Sequence, residues 1–599
     1  MRSFAELAFR ARQEAANLWL LAAPPKFSGQ LPSLPLPDPT EALRGSAYAA
    51  GVEQIARQVL EHKFPLLGVT IETGPEIRWR RDYAHGVESD LRYFRRIPYL
   101  NVGAVGDHKF IWELNRHQHL VVLAQAFRFT GNREFVAEIV RQLECWFEQN
   151  PFQRGINWAS ALEVAFRAIS WIWVHRLVGS EMPDSFRRRF LTELYRHRRH
   201  LEENLSIYFS PNTHLLGEAV ALHALGGQRA ANIVESQLTF QVKPDGSHFE
   251  QSTYYHVYAL DFFLFHYILN GKPAAFRPTL ERMAEYLHWL LGKSRRITFF
   301  GDDDGGRLFH PYGDRSQFGR ATLATCGLLF DREEWIGTED DIAEQAAWWL
   351  GPKTLERARS ERSAPAGPRL FSDSGMAFLQ SSGLEVQMDC GPFGYGGAGH
   401  SHSDTLSLVV TLAGERVLRD PGTYTYISNP EERNWFRGSG AHNTVRIDGL
   451  DQADPAGPFR WASKPDVVLK TWRPHANGGY VDAACRYRGF THRRQVLLNS
   501  GLLLVLDEIE GPAGEHTCEQ IWQLGPAAPR VRVLFSAPAI EVPSKSSPAY
   551  GACEPAQSLV ARLSGKLPVK IAMLLDTNLN GSTTIERACE LLEQESFAV

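Results

Sequence analysis

The 599-residue chain lacks most of the features that assign a protein quickly. Its seven cysteines are dispersed with no CxxC pair, which excludes a disulfide framework and a cysteine-rich zinc site. No apolar run approaches the ~20 residues of a membrane span. The patch Leu18-Trp-Leu-Leu-Ala-Ala follows charges at Arg10, Arg12 and Glu14 and is short for a signal peptide, so a cytoplasmic location is the expectation from sequence alone. There is no basic excess: 64 Lys and Arg against 68 Asp and Glu give a net charge of −4. That balance argues against a nucleic-acid partner, although a local basic cleft can sit inside a neutral protein. No repeat with a fixed period is present, which speaks against a solenoid. Nothing in the sequence sets an oligomeric state.

What is present is a soluble, globular composition, 44% hydrophobic and 22% charged. The length is too great for one ordinary core, so two or more domains are expected. Residues 1–355 read as helix after helix, with segments at 112–129, 134–149, 157–174, 185–206, 212–225, 250–270 and 278–292. Within 157–174, Glu163 and Arg167 have the spacing of an i, i+4 pair. The short separations predict antiparallel helical hairpins arranged as a bundle or toroid. Residues 356–370 are rich in Ala, Pro and Ser and read as a linker. From 371 to 599 the pattern turns to short apolar or alternating runs, among them 384–388, 406–412, 466–471, 495–498 and 502–506. These predict a sandwich of antiparallel sheets.

The densest chemistry lies in Gly-Gly-Ala-Gly-His-Ser-His-Ser-Asp at 396–404. If this is a strand entry, alternation puts His400, His402 and Asp404 on one face beside a backbone that can approach a ligand. A polar strand end with incidental histidines is the plainer account. Asp420, in Arg-Asp-Pro-Gly-Thr, and His442, in Ala-His-Asn-Thr, add a His/Asp/His set that weighs against it. In the helical part, Asn212 stands at a helix start with His214 in the first turn. Capping explains Asn212, and an anion could also sit at such a terminus. In the segment 245–258, Tyr254, Tyr255, His256 and Tyr258 cover so much of a helix that at least one tyrosine is expected to face a cleft. The run Phe300-Gly-Asp-Asp-Asp-Gly-Gly lacks the spacing and terminal Glu of a calcium loop and reads as a turn.

These pieces resemble the heparinase II/III-like polysaccharide lyases. The resemblance is carried by residues 112–118 (WELNRHQ), Asn157-Trp158 with 162–165 (LEVA), Asn212-Thr-His214, 252–257, 399–404, 419–424 and 441–444, in the family's order. It implies an incomplete α/α-toroid joined to a C-terminal antiparallel β-sandwich, acting by β-elimination on acidic, uronate-containing polysaccharides. It also implies Tyr255 as catalytic tyrosine, Asn212 and His214 as the group facing the uronate carboxylate, and His400 as the histidine from the β-domain. His402, Asp420 and His442 are implied as ligands of a zinc ion with a mainly structural role. Tyr254 and Arg437 are candidate substrate-binding residues. One departure is Thr213, which separates an Asn and a His that several members place side by side. Relatives often act in the cell envelope, which competes with the cytoplasmic expectation.

Three rival functions are open to discrimination. A metal-dependent amidohydrolase would carry HxH early in a β/α barrel, whereas here it lies past residue 390. A toroidal glycoside hydrolase would need two carboxylates about the scissile bond, with Asp302, Asp304 and Glu250 the candidates. A non-catalytic polysaccharide-binding protein would not need Asn212, Tyr255 and His400 intact.

Overall fold

A computed structural model describes residues 3–27, 29, 31–361 and 363–597. The chain divides into two compact units. One comprises residues 1–241, 258–280 and 305–362; the other comprises 242–257, 281–304 and 363–599. The helices Thr253–Leu269 and Arg277–Leu291 each run across that division.

The first unit is helical. Its main helices are Ala47–Leu60, Gln118–Thr130, Glu134–Gln149, Ala161–Val178, Asp184–Asn204 and Thr213–Ala224. Ser46 caps the first of these by accepting from the Ala49 N–H. The expected helix over 112–129 is two helices, His108–Asn115 and Gln118–Thr130, because His117 takes a left-handed conformation at φ 57°. The core is unusually aromatic, with Trp79, Trp146, Trp158, Trp171, Trp173 and Trp348 fully buried. Two small hairpins, Lys63–Leu66 with Val69–Glu72 and Arg81–Asp82 with Val87–Glu88, interrupt the helical pattern.

The expected Glu163–Arg167 pair is replaced by longer-range partners. Arg116 binds Glu163 as a fork through two hydrogen bonds of 2.7 and 2.9 Å. Arg167, itself fully buried, donates instead to His197 Nε2 and to the carbonyls of Asn115 and Asn157. Its guanidinium lies 4.7 Å from the Trp146 ring centre. Burial without a carboxylate partner of its own pulls the Arg167 pKa down to about 9.

The second unit is built on antiparallel sheets. A five-stranded meander runs in chain order through Arg369–Phe371, Met376–Ser381, Leu384–Asp389, Leu408–Leu412 and Glu415–Leu418. A six-stranded sheet follows the order Asp466–His475, Gly478–Tyr487, Phe490–Asn499, Leu502–Glu510, Val569–Asp576, Arg532–Phe535. A four-stranded sheet orders Val445–Ile447, Glu515–Gln523, Ala552–Lys566 and Ala539–Ala549. One apolar core joins Leu384, Val386, Leu408, Val410, Val481, Val496, Val505 and Trp522. Each expected strand falls on an observed one except at 406, where Leu406 has φ 63° and the strand begins at Leu408.

Candidate active site

Tyr255 lies in the first turn of the Thr253–Leu269 helix, whose start is held by side chains. Ser252 Oγ accepts from the Tyr255 N–H at 3.2 Å and donates to the Asp302 carbonyl at 2.7 Å. Thr253 Oγ1 donates to the Thr298 carbonyl at 2.7 Å. The helix start is thereby tied to the segment containing the three aspartates. That segment, read as a turn from sequence, is an irregular and buried stretch, with Asp302 and Asp303 fully buried.

Gly301 shows why this passage needs glycine. Its φ is +74°, and a Cβ there would come within 2.4 Å of the His400 carbonyl. That close approach lets the Asp302 N–H donate to the same carbonyl at 2.8 Å.

The His400 ring lies against Tyr255, with centroids 3.8 Å apart and planes 20° from parallel. The Tyr255 hydroxyl is 3.2 Å from Asp304 Oδ2 and 3.2 Å from the Tyr426 hydroxyl. His400 Nδ1 is 3.1 Å from Asp302 Oδ2, and its Nε2 is 3.6 Å from Glu250 Oε2. Burial by itself would lower the His400 pKa, but the Asp302 hydrogen bond and the charges of Glu250, Asp302 and Asp304 leave it raised. Asp302 is the reverse case. Burial opposes its ionisation, yet Arg433, His400 and His402 hold its pKa well below the ordinary carboxylate value. Arg433 is fully buried and binds both Asp302 oxygens, one of them at 2.8 Å.

The HxHxD run is a loop, so strand alternation does not orient it. One carboxylate does: Asp302 meets His400 through Oδ2 and His402 Nε2 through Oδ1 at 2.9 Å. With Nε2 used in this way, His402 Nδ1 is buried and has no hydrogen-bond partner among the described residues. His442 mirrors it, its Nδ1 held by Asp420 Oδ2 at 2.8 Å and its buried Nε2 unpartnered. The two rings are 5.2 Å apart, and ligand atoms of His402, His442 and Asp404 all lie within 4.8 Å of one another. Two imidazole nitrogens with free lone pairs and a carboxylate form a donor set that fits zinc. Asp420 occupies the position of a carboxylate that orients a metal-binding histidine through its other nitrogen.

Other expected residues fall differently. Tyr254 is buried with its ring edge toward Phe299, 6.2 Å between centroids. Tyr254, Tyr255, His256 and Tyr258 are all buried, Tyr255 the least so at 7% exposure. His256 Nε2 lies 3.0 Å from the Met283 carbonyl. The guanidinium of Arg437 is taken up by Asn434 and by the carbonyls of Pro458 and Gly457, and it lies 4.6 Å from the Trp461 ring centre. It therefore braces the 457–461 loop.

Asn212 and His214 belong to the helical unit. Asn212 caps Thr213–Ala224 by accepting from the His214 N–H at 3.1 Å. Thr213 is buried while Asn212 and His214 are half-buried, so the intervening residue turns inward and leaves its neighbours accessible. His214 also lies close enough to Glu163 for its charge to help hold that carboxyl low, behind the larger effects of burial and Arg116. Asp302 and Asp304, weighed from sequence only as glycosidase carboxylates, join the cluster around Tyr255 together with Tyr426 and Arg433. Three aspartates bracketed by glycines directly after Phe299-Phe300 were the available signal for the first two.

The fold is that of known polysaccharide lyases. A structure of Heparinase III superposes with a TM-score of 0.67 at 17% identity, covering 95% of this chain and 90% of that one. A chondroitin AC lyase from Streptomyces coelicolor A3, in complex with chondroitin sulphate, gives 0.53 at 13% identity over 96% of this chain and 84% of its own. The shared class is an incomplete α/α-toroid with an antiparallel β-sandwich. Residues 38–287 match the profile "Heparinase II/III N-terminus", and residues 363–565 match "Heparinase II/III-like, C-terminal". The chain belongs to the heparinase II/III-like family. Heparin-sulfate lyases from Bacteroides stercoris and Pedobacter heparinus are 22% and 23% identical over 72% and 70% of this chain. The matches span 65% and 63% of those proteins' own lengths. No described helix is long and apolar enough to cross a membrane.

Proposed function

We propose that the protein is a polysaccharide lyase that cleaves an acidic, uronate-containing polymer by β-elimination. The observation that carries this reading is the Tyr255 phenol, packed face to face on His400 with its oxygen 3.2 Å from Asp304. Family membership and the heparin-sulfate lyase relatives support it.

Elimination removes the proton on C5 of the uronate, forms the C4–C5 double bond and breaks the bond from C4 to O4. The departing oxygen takes a proton. An ordinary tyrosine, with pKa ~10, is a poor base at neutral pH. A protonated His400 parallel to the ring places positive charge where a phenolate would develop, which favours the anion. In this reading Tyr255 takes the C5 proton and returns it to O4. Asp304 and the Tyr426 hydroxyl set the direction of the phenol oxygen. Asn212 and His214 are proposed to neutralise the uronate carboxylate, the electrostatic task of an oxyanion hole.

A zinc ion on His402, Asp404 and His442, with Asp420 behind His442 or joining as a ligand, would supply a fixed point for the loop that carries His400. Asp302 is unsuited to be the general acid of a glycoside hydrolase. A general acid must hold a proton at working pH, and Arg433 with two histidines keeps this carboxyl ionised.

The test is a screen of purified protein against heparan-type, chondroitin-type, alginate-type and bacterial exopolysaccharide substrates, read by ultraviolet absorbance of an unsaturated uronate. New reducing ends without that absorbance would mean hydrolysis and would overturn the elimination reading.

A further inference from the structure

The helical unit has a second feature that the chemistry above does not use. A cleft of ≈ 620 Å³ has Phe147 and Phe152 among its lining residues, together with Arg154, Arg188, Arg189 and Arg196. Arg188, Thr192 and Arg196 recur every four residues along Asp184–Asn204, so they form one stripe along that helix.

The arginines of this helix separate by what they face. Arg187 is paired with Asp184 at 2.7 Å, Arg198 with Glu202 at 2.9 Å, and Arg199 with the same Glu202. Arg196 is paired with Glu193 at 2.6 Å. Among the described residues, Arg188 and Arg189 on this helix and Arg154 across the cleft make no ion pair, and all three line the cleft. The Arg189 guanidinium lies 5.2 Å from the Phe147 ring centre, and the Arg154 backbone is pinned by a bridge to Tyr93. Glu193, the carboxyl among the cleft's lining residues, is engaged by Arg196 at 2.6 Å, so part of its charge is already met.

We propose that this cleft is a non-catalytic binding site for an acidic polysaccharide. Arg154, Arg188 and Arg189 would bind its carboxylate or sulfate groups, above the buried rings of Phe147 and Phe152 that back the cleft. Guanidinium forks match both anion types in a bidentate manner. In a chain with a net charge of −4, such a patch gives a local field that the overall balance conceals. The identity of the polymer rests on the lyase reading above; the anion-binding cleft does not. Holding one polymer at a second site raises its effective concentration and favours long chains over short ones.

The experiment compares the full-length protein, Arg188→Ser/Arg189→Ser, and Arg57→Ser/Arg133→Ser. The last pair removes the same charge from the same unit, at exposed arginines that are ion-paired with Glu53 and Glu181. Retention on immobilised heparin at rising salt should fall for the cleft pair and stay unchanged for the other. On a cleavable polymer, KM should rise about tenfold for the cleft pair at constant kcat, with no change on a tetrasaccharide. Equal loss of retention in both double variants, or unchanged retention in the cleft pair, overturns the site. Equal loss of binding to a single-stranded oligonucleotide overturns the choice of a polysaccharide. If no polymer is cleaved but the cleft pair alone loses retention, the lyase reading falls and this site stands.

Discussion

The ring of His400 stacks on the phenol of Tyr255 with centroids 3.8 Å apart and planes 20° from parallel, the contact on which the proposed acid–base role rests. Tyr255→Phe removes a single hydroxyl from a packed helix. Folding should survive, judged by an unchanged circular dichroism spectrum, while turnover falls ~10²–10⁴-fold as expected for a general acid–base group. Tyr254→Phe is the control, since the adjacent ring points about 100° away around the helix and packs toward Phe299. Loss of activity in Tyr254→Phe with none in Tyr255→Phe would place the catalytic phenol one residue earlier.

Arg433→Met tests the buried carboxylate. The change leaves Asp302 ionised or forces it to take a proton, with two histidines still on its oxygens. Breaking such a pair should cost about 3–5 kcal/mol in thermal or denaturant unfolding. Asp302→Asn with Arg433→Met should recover part of that loss, because no uncompensated charge then remains. A double variant as unstable as the sum of the singles would mean that the two residues are not coupled.

Metal content gives a third test. Purified protein should carry about one zinc per chain, and chelation should lower its Tm because ion binding couples to folding. His442→Ala should reduce both metal content and Tm. Asp404→Ala against Asp420→Ala separates ligand from orienting carboxylate, since loss of a ligand should weaken zinc retention more. Chelated protein with the Tm of untreated protein would count against a structural ion.

Two buried groups of the helical unit set opposite pH slopes. His119 is pulled down to about 4 by burial, against 6.5 when exposed. It costs no stability above pH 6.5, and stability is lost as pH falls from there to about 4, by about 3 kcal/mol in full. Glu218 is pushed up to about 8 by burial, against 4.5 when exposed, with the Ser206 hydrogen bonds opposing that rise. The folded state therefore holds its proton more tightly, and stability is lost as pH rises from 4.5 through 8. Melting curves across this range should show His119→Gln flattening the acid side and Glu218→Gln flattening the alkaline side. A Glu218→Gln profile as steep as the parent's would mean the carboxyl is already ionised at neutral pH.

Asn212 combines two roles that its variants can separate. It caps a helix, so Asn212→Ala should cost about 0.5–2 kcal/mol of stability. Asn212→Ser keeps a capping oxygen and should restore that stability. If the amide also acidifies the substrate C5–H, both variants should lower kcat more than they raise KM. Full activity in Asn212→Ser would reduce Asn212 to a cap.

The order of helices and then strands was legible in the sequence, because periodicity is local, while Tyr255, His400, His402, Asp420 and His442 were singled out by short motifs and the resemblance to a family. The partners of those residues were not. Glu163 stands four residues from Arg167 yet binds Arg116, and nothing within one helix turn can signal a bidentate fork offered from 47 residues away. The HxHxD run was expected to be oriented by strand alternation, but Leu406 breaks the strand and Asp302 orients the two histidines from 98 and 100 positions away. Tyr426 and Arg433 carry no motif that separates them from other buried aromatic or basic residues. Sequence determined which side chains the chain owns and which elements carry them. Tertiary structure alone decided which carboxylate meets which imidazole, because burial makes each unpaired charge costly and the fold must bring it a partner from wherever the chain passes.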